Sequence, residues 1–136
     1  MITVNEAMAD QRSGLIGDRY NGASGKRQVT LIQWEHLSVL ESMMGKPITP
    51  QLLRRNLVIK GINLLALKNR KFRIGDVVFQ TTGLCHPCSR MEAILGTGGY
   101  NAMRGHGGLT AQVLHNGLIS IGDNLMVLPD EVHIAD

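Results

Sequence analysis

The segment Phe72-Arg73-Ile74-Gly75-Asp76-Val77-Val78-Phe79-Gln80-Thr81 contains two short apolar runs separated by a Gly-Asp pair. β-branched and aromatic residues favour strands, and Gly-Asp favours a tight turn. The segment therefore predicts strands at 72–74 and 77–81 that are joined as a hairpin. The tripeptide Ile-Gly-Asp recurs at 16–18 and 121–123. Because the spacing of the three copies is irregular, it indicates reused turn chemistry rather than a structural repeat.

Similar apolar runs lie on both sides of this hairpin and predict further strands, at 28–32, 56–60, 63–67, 109–114, 118–121 and 125–128. Asn116-Gly117 is a strong hairpin signal and predicts that 109–114 pairs with 118–121. Helices are predicted over Trp34–Met44 with a stop at Gly45, from Thr49-Pro50, and around Met91–Leu95.

Eight or so short strands and only two or three short helices predict a mainly β, β-rich α+β fold. The 16 glycines suit the corners of a curled sheet or β-barrel better than a doubly wound sheet. A length of 136 residues corresponds to one domain. We expect an N-terminal segment with little apolar patterning at 1–13, the domain at 14–128 and a C-terminal tail at 129–136.

Composition argues against several classes of protein. Aromatic residues make up only 4% of the chain, too few for the base stacking of single-stranded nucleic-acid binders. No apolar run approaches the roughly 18 residues of a membrane span, and the first residues lack a signal-peptide core. Two cysteines cannot form a disulfide framework. These features predict a cytoplasmic protein with neither nucleic acid nor membrane as partner.

Basic side chains are concentrated between Ser42 and Gly75, where no acidic residue occurs. They are Lys46, Arg54, Arg55, Lys60, Lys68, Arg70, Lys71 and Arg73. Such a stretch attracts anions, and two or three convergent groups are enough for a small phosphate-bearing ligand. The alternative is that the side chains are solvated and lie on different faces of the folded protein.

Both cysteines fall in the segment Cys85-His86-Pro87-Cys88-Ser89-Arg90, which follows a predicted strand and precedes a predicted helix. The helix dipole and Arg90 favour a thiolate, and Cys88 is nearer to both, so we expect it to be the more reactive thiol. Four interpretations remain open: a thioredoxin-like dithiol, a zinc site that adds His86 and His106, a single thiolate ligand or sulfur carrier, and two buried structural cysteines.

Four further residues are candidates for the same site. Asp18 and Arg19 are candidates to line a pocket, although Asp in such a turn is more often a turn former. Asn56 begins a predicted strand, and its side chain is equally suited to contact with a ligand and to hydrogen bonding with nearby backbone groups. His106 lies in the glycine-rich loop 104–108, and loops of this kind are able to close over a pocket. The two interpretations of the His106 side chain are contact with substrate and exposure to solvent.

Six segments, in order, resemble those of the MOSC domain, named for the C-terminal domain of molybdenum cofactor sulfurase. They are Gly14–Tyr20, Arg27–Ile32, Arg54–Ile59, Phe72–Val77, Pro87–Ser89 and Ile119–Asp123. Gly-Leu-Ile-Gly-Asp-Arg-Tyr is similar to the family's Gly-Leu-x-Gly-Asp-Arg-His, with Tyr20 in place of His. Arg54-Arg55-Asn56 resembles the Arg-x-Asn of the mitochondrial amidoxime-reducing enzymes more than the Gly-Glu-Asn of other members.

The resemblance implies a barrel-like β fold with a pocket for the molybdenum cofactor (molybdopterin). It implies that Cys88 is the metal ligand or sulfur carrier, and that Arg54 and Asn56 lie near the cofactor. Asp18, Arg19, Arg90 and His106 complete the candidate set.

The resemblance and the cysteine segment leave three candidate functions. One is molybdenum-dependent reduction of N-hydroxylated compounds with an external electron donor or a cofactor-donating protein as partner. The second is sulfur or cofactor delivery through Cys88, and the third is an interaction module with structural cysteines. If Arg54 and Cys88 face one pocket, strand 56–60 should lie near the strand that ends at Thr82, with the loop 105–108 over the opening.

Overall fold

The computed structural model describes residues 5–16, 28–53, 55–85 and 90–129, without the side chain of Arg90. The hairpin predicted around Gly75-Asp76 is confirmed, with strands β5 (Lys71–Ile74) and β6 (Val77–Leu84) paired antiparallel. Phe72 faces Phe79 across this pair, both side chains are fully buried, and their rings stack with centroids 5.2 Å apart. This aromatic pair favours the observed register, because a slip of one residue in either strand turns its ring to the opposite face and breaks the stack.

β5 and β6 belong to a strongly curled sheet of six strands, which confirms the predicted β-rich fold. The spatial order is β4-β3-β7-β6-β5-β9. The other members are β3 (Val29–Gln33), β4 (Leu57–Ile59), β7 (Leu109–Val113) and β9 (Leu125–Val127). Among the described strands of this sheet, only β3 and β4 run parallel, since helices connect them along the chain, and the other four pairs are antiparallel.

A second sheet has three strands in the order β2-β1-β8. β1 (Glu6–Asp10) forms within the region predicted to have little patterning, because its inward residues are small alanines that carry a weak signal. β2 is Gly14–Leu15 and β8 is Gly117–Ser120.

The predicted pairing of 109–114 with 118–121 is wrong, because β7 and β8 lie in different sheets. Asn116 supports the connection in another way: its Oδ1 accepts a hydrogen bond from the Gln11 backbone N–H at 2.7 Å. The backbone N–H of Leu114 donates to the Val78 carbonyl at 2.8 Å, so the chain follows β6 before it crosses to β1.

The helices agree with the sequence at most positions. α1 (Trp34–Met44) ends at Gly45 with φ of 70°, and α2 (Pro50–Leu53) is capped by Thr49 Oγ1, which accepts from the Leu52 N–H at 3.2 Å. α3 (Arg90–Leu95) follows the cysteine segment, and α4 (Gly99–Met103) follows α3. No helix among the described residues is long and apolar enough to span a membrane.

The predicted strand at 63–67 is wrong. Residues Leu64–Leu67 form a 3-10 helix, because Leu64 and Leu67 are buried at the three-residue spacing of that helix while Leu65 is exposed.

Two apolar cores lie on opposite faces of the large sheet. One contains Phe72, Phe79 and the inward side chains of β3 and β7; the other joins Ile32 of β3 to α1, α2, α3 and α4. The helical layer therefore covers the sheet where β3 and β6 end, and the cysteine segment leaves β6 at that point.

Candidate functional site

The end of β6 is shaped by an irregularity in its pairing with β7. Thr81 faces Ala111 and Gly83 faces Thr110, so Thr82 is an extra residue in β6. The Thr82 and Thr110 hydroxyl oxygens are 2.8 Å apart, a hydrogen bond that holds the bulge. Such a bulge bends the strand and redirects the side chains that follow it. It lies three residues before Cys85 and sets the direction in which the cysteine segment leaves the sheet.

Cys85 is fixed at this strand end. Its backbone N–H donates to the Gly108 carbonyl at 2.9 Å, and the residue is only 3% exposed. Burial fits the structural interpretation for this one cysteine. His86, Pro87, Cys88 and Ser89 lie outside the described residues, and α3 begins directly after them.

The difference between the two cysteines is testable by alkylation. At neutral pH with limiting reagent, we expect mass mapping to find Cys88 labelled well before Cys85, because the Cys85 thiol is shielded from the reagent. The Cys85→Ser variant should keep the fast phase and Cys88→Ser should lose it. Equal labelling of both cysteines, or faster labelling of Cys85, contradicts the assignment of Cys88 as the reactive thiol.

The loop between α4 and β7 is packed tightly against the ends of β3 and β6. A Cβ atom on Gly107 would lie 2.4 Å from the Cys85 carbonyl oxygen, and one on Gly108 only 1.7 Å from that of Leu31. Gly108 also has a φ of 90°, which L-residues rarely adopt. At 107–108 the glycines therefore serve close backbone packing, whereas a Cβ on Gly105 would meet nothing within 4 Å.

Arg55 ties this loop to the end of α2. The residue is 6% exposed, its Nε donates to the Gly107 carbonyl at 2.8 Å, and its Nη1 donates to the Leu53 carbonyl at 2.9 Å. Charge-assisted hydrogen bonds are the strong ones, so a buried guanidinium is well suited to join two chain segments. Arg54, the predicted phosphate contact next to it, lies outside the described residues, as do Asp18 and Arg19.

Asn56 holds the start of β4 to β3. Its Oδ1 accepts from the Thr30 backbone N–H at 2.8 Å, and its own backbone N–H donates to Thr30 Oγ1 at 3.0 Å. These bonds give Asn56 a structural task, and its contact with a cofactor remains a prediction. The expected proximity of β4 to β6 is wrong, since β3 and β7 lie between them.

Two other arginines of the basic stretch lie away from the loop that Arg55 contacts. Arg70 donates to the Leu128 carbonyl at 3.1 Å, and Arg73 donates to the Gly75 carbonyl at 3.0 Å. Both contacts lie at the β5–β9 end of the sheet, whereas Arg55 lies beside β4. These three arginines therefore do not converge, as the alternative interpretation predicts, but Arg55 is buried rather than solvated.

His106 is half-buried beside the glycines of the loop. Its Nδ1 lies 2.9 Å from the Ala102 carbonyl, and its ring meets that of His36, in the first turn of α1, edge to face with centroids 5.1 Å apart. Nothing near His36 in the chain singles it out, because one His in an amphipathic helix resembles any surface residue. No three His, Cys, Asp or Glu side chains within the described ranges converge as metal ligands; the zinc hypothesis also involves His86 and Cys88, outside those ranges.

The environment of His36 makes stability depend on pH. Burial, and then the positive charge of His106, lower the pKa of His36 below its ordinary 6.5, against an opposing effect of Glu35. A lowered pKa means that the folded state favours the neutral ring, so this contribution is present above pH 6.5 and is lost as pH falls through the folded-state pKa. We expect His36→Gln to reduce the loss of urea stability between pH 7.5 and 5.5. An unchanged loss contradicts the assignment, and His115→Gln, at an exposed position, serves as the control.

The described geometry brings together two regions that the sequence singled out. Gly107 contacts both Arg55 and the Cys85 carbonyl, so the neighbours of Arg54 and of the cysteine segment meet on one loop. The signal available in the sequence was the Gly107-Gly108 pair, which indicates close backbone approach.

Comparison with known proteins gives a consistent result. A family model described as the MOSC domain matches residues 15–126. A comparison with curated proteins gives no match. Among solved structures, YuaD of Bacillus subtilis is similar over 91% of this chain and 85% of its own, with 20% identity and a TM-score of 0.77.

Two longer structures share the fold. YiiM of Escherichia coli matches 99% of this chain and 67% of its own at 21% identity, with a TM-score of 0.73. YiiM of Geobacillus stearothermophilus matches 93% and 62% at 17% identity, with a TM-score of 0.74. Because these identities are low, the structures support the fold alone, and the family assignment rests on the model that matches most of the sequence. The chain belongs to the MOSC domain family.

Proposed function

We propose that this MOSC domain binds a molybdenum cofactor, with the Cys88 thiolate directed at the metal and Arg54 at the pterin phosphate. The observation that supports it is the contact of Gly107 with both Arg55 and the Cys85 carbonyl. Arg54 directly precedes Arg55, and Cys88 follows Cys85 by three residues. The two proposed ligands therefore belong to segments that are anchored to the same loop.

The chemistry of the described surroundings suits such a ligand. The buried Arg55 guanidinium places positive charge beside the base of the cysteine segment. Positive charge favours a thiolate over a thiol and attracts anionic groups. A soft thiolate is the protein ligand that suits a metal already held by sulfur, and an arginine suits a phosphate.

The substrate class that we propose is N-hydroxylated compounds. The cofactor, when bound, supplies two-electron chemistry at the metal. Reduction of an N-hydroxylated amine consumes two electrons and two protons, breaks the N–O bond and releases the amine and water. We propose that an external protein donor in the cytoplasm supplies the electrons, and that Asp18, Arg19, Arg90 and His106 line the pocket with Asn56.

Elemental analysis of the purified protein tests the proposal. We expect molybdenum at about one atom per chain, lost in Cys88→Ser but kept in Cys85→Ser, with the melting temperature of Cys88→Ser close to that of the wild type. Arg54→Ala should retain less cofactor, about tenfold less for one lost charge-assisted contact, whereas Lys60→Ala, an exposed cation of the same stretch, should retain it all.

Cyanide-releasable sulfur is measured in parallel because it identifies the second candidate. Labile sulfur without molybdenum, dependent on Cys88, overturns cofactor binding and establishes a persulfide carrier. The absence of both molybdenum and labile sulfur overturns cofactor binding and the persulfide carrier, and leaves the interaction module.

A further inference from the structure

The strand β9 lies at one end of the six-stranded sheet, and its outer edge faces away from β5. We propose that this edge is a self-association site, where β9 pairs antiparallel with β9 of a second copy of the chain about a two-fold axis at Met126. Backbone hydrogen-bonding groups, exposed apolar side chains and the charges beside them each support this pairing, which is independent of the proposed cofactor.

The pairing of β9 with β5 determines which residues of β9 bond to β5. The Leu128 N–H donates to the Lys71 carbonyl at 2.9 Å, which marks Leu128 as a hydrogen-bonded position. Such positions alternate along an antiparallel strand, so Met126 and Asn124 also direct their backbone groups towards β5. The Asn124 carbonyl accepts from the Gly75 N–H, which agrees with this alternation.

The residues between them, Leu125 and Val127, direct their N–H and carbonyl groups to the outer edge. Within the described part of the chain, these groups have no hydrogen-bond partner. A second copy related by a two-fold axis at Met126 places Leu125 opposite Val127 of the partner subunit, and Val127 opposite Leu125 of the partner subunit. Each outward N–H then meets a carbonyl, so the edge is complementary to itself and all of these groups are satisfied in both copies.

The apolar side chains of β9 are largely exposed. Val127 is paired with Phe72 on the inner face of the sheet, yet Val127 is 41% exposed whereas Phe72 is fully buried. Met126, on the other face, is 51% exposed. The apolar core therefore ends at β9 without a cover among the described residues. In the proposed pair the two Met126 side chains lie directly opposite each other, and Leu125 of the partner subunit lies beside Val127.

The charges beside β9 favour antiparallel self-pairing. No charged residue occurs within 124–129, whereas the opposite edge strand β4 is followed directly by Lys60, and lysines protect exposed strand edges from pairing. Asp76 and Asp123 lie beside the start of β9, and Lys71 lies beside its end. Antiparallel pairing brings the acidic end of each copy to the basic end of the other, whereas parallel pairing would bring like charges together.

The short length of the edge sets the expected strength of the dimer. β9 has 3 residues, and a stable complex buries about 800 Å² on each partner. A strand pair of this length covers less than that area. We therefore expect a reversible dimer with a dissociation constant of about 10–100 μM.

Sedimentation equilibrium of the full chain tests the proposal. We expect a monomer–dimer equilibrium between about 5 and 500 μM, a range that brackets the expected constant. Val127→Pro removes an outward N–H from each copy but no bond to β5, because proline is tolerated on edge strands. It should weaken dimerisation about tenfold or more, since two hydrogen bonds of the pair are lost, and it should keep the urea midpoint of the monomer close to that of the wild type.

Two lysine variants form a matched pair. Met126→Lys sets two positive charges directly opposite each other at the two-fold axis, so it should also weaken dimerisation. Val58→Lys, at an exposed apolar position in the opposite edge strand β4, should dimerise as the wild type does. Equal weakening by both variants would show that net charge is responsible, and overturns the assignment to β9.

Hydrogen exchange of the wild type keeps the test independent of variant folding. The amides of Leu125 and Val127 should exchange several-fold more slowly at high concentration than at low, whereas the Met126 amide, which bonds to β5, should be protected at both. A monomer over the whole range, or a dimer that Val127→Pro leaves intact, overturns the proposal. Protection of Leu125 and Val127 in the monomer also overturns it, because another part of the chain then covers this edge. Molybdenum and labile-sulfur contents are separate measurements, so failure here leaves the proposed function unaffected.

Discussion

Replacement of Gly108 by alanine is expected to destabilise the protein by about 4 kcal/mol or more, enough to unfold much of the population. The new Cβ would lie 1.7 Å from the Leu31 carbonyl oxygen and 3.2 Å from the Ile32 Cα. Both atoms belong to the backbone of β3, which is paired on both sides by β4 and β7, so no flexible side chain can move to make room. Urea unfolding at neutral pH measures the effect.

The matched control is Gly105→Ala in the same loop. Gly105 also has a positive φ, of 77°, but a Cβ there meets nothing within 4 Å. It should cost only the backbone strain, about 1 kcal/mol. Equal losses for the two variants would show that φ alone is responsible, and that the close approach to β3 is not.

Removal of the Arg55 guanidinium should have the next largest effect. Arg55→Met keeps the length and volume of the side chain but leaves the Gly107 and Leu53 carbonyls without these donors. Each buried unsatisfied group costs about 1–3 kcal/mol, so we expect a loss of about 3 kcal/mol in the free energy of unfolding.

Arg55→Lys separates charge from geometry. Lysine keeps the positive charge but is a point donor, unlike the planar fork that reaches two carbonyls. We expect it to recover less than half of the lost stability. Full recovery would mean that charge alone matters at this position. Arg73→Met, whose guanidinium bonds one carbonyl at a turn, should cost less than about 1 kcal/mol.

Local chemistry made most elements of the fold predictable. The hairpin at Gly75-Asp76, the stop of α1 at Gly45 and the cap at Thr49 each depend on residues within a few positions of each other. Which strands pair with each other is harder to predict from the sequence. Asn116-Gly117 satisfies every local rule for a hairpin, yet the preference of the following strand for β1 depends on residues more than 100 positions away.

The candidate site shows the same division. The cysteine segment was identified from its own residues, because spacing and a following helix are local signals. Composition places Arg55 with Arg54 in one anion-attracting basic stretch, since nothing nearby in the sequence reveals that its hydrogen-bond acceptor is Gly107, 52 residues later. His36 was missed for the same reason: only the folded chain brings it to His106.

The pairing of β1 with β8 bears on the order in which the protein assembles. Glu6–Asp10 are synthesised more than 100 residues before their partner strand Gly117–Ser120. Closing so long a loop is entropically costly and slows folding. The small sheet is therefore expected to form late, after the hairpin of β5 and β6. In pulse-labelled refolding, the amides of β1 and β8 should acquire protection together and after those of β6.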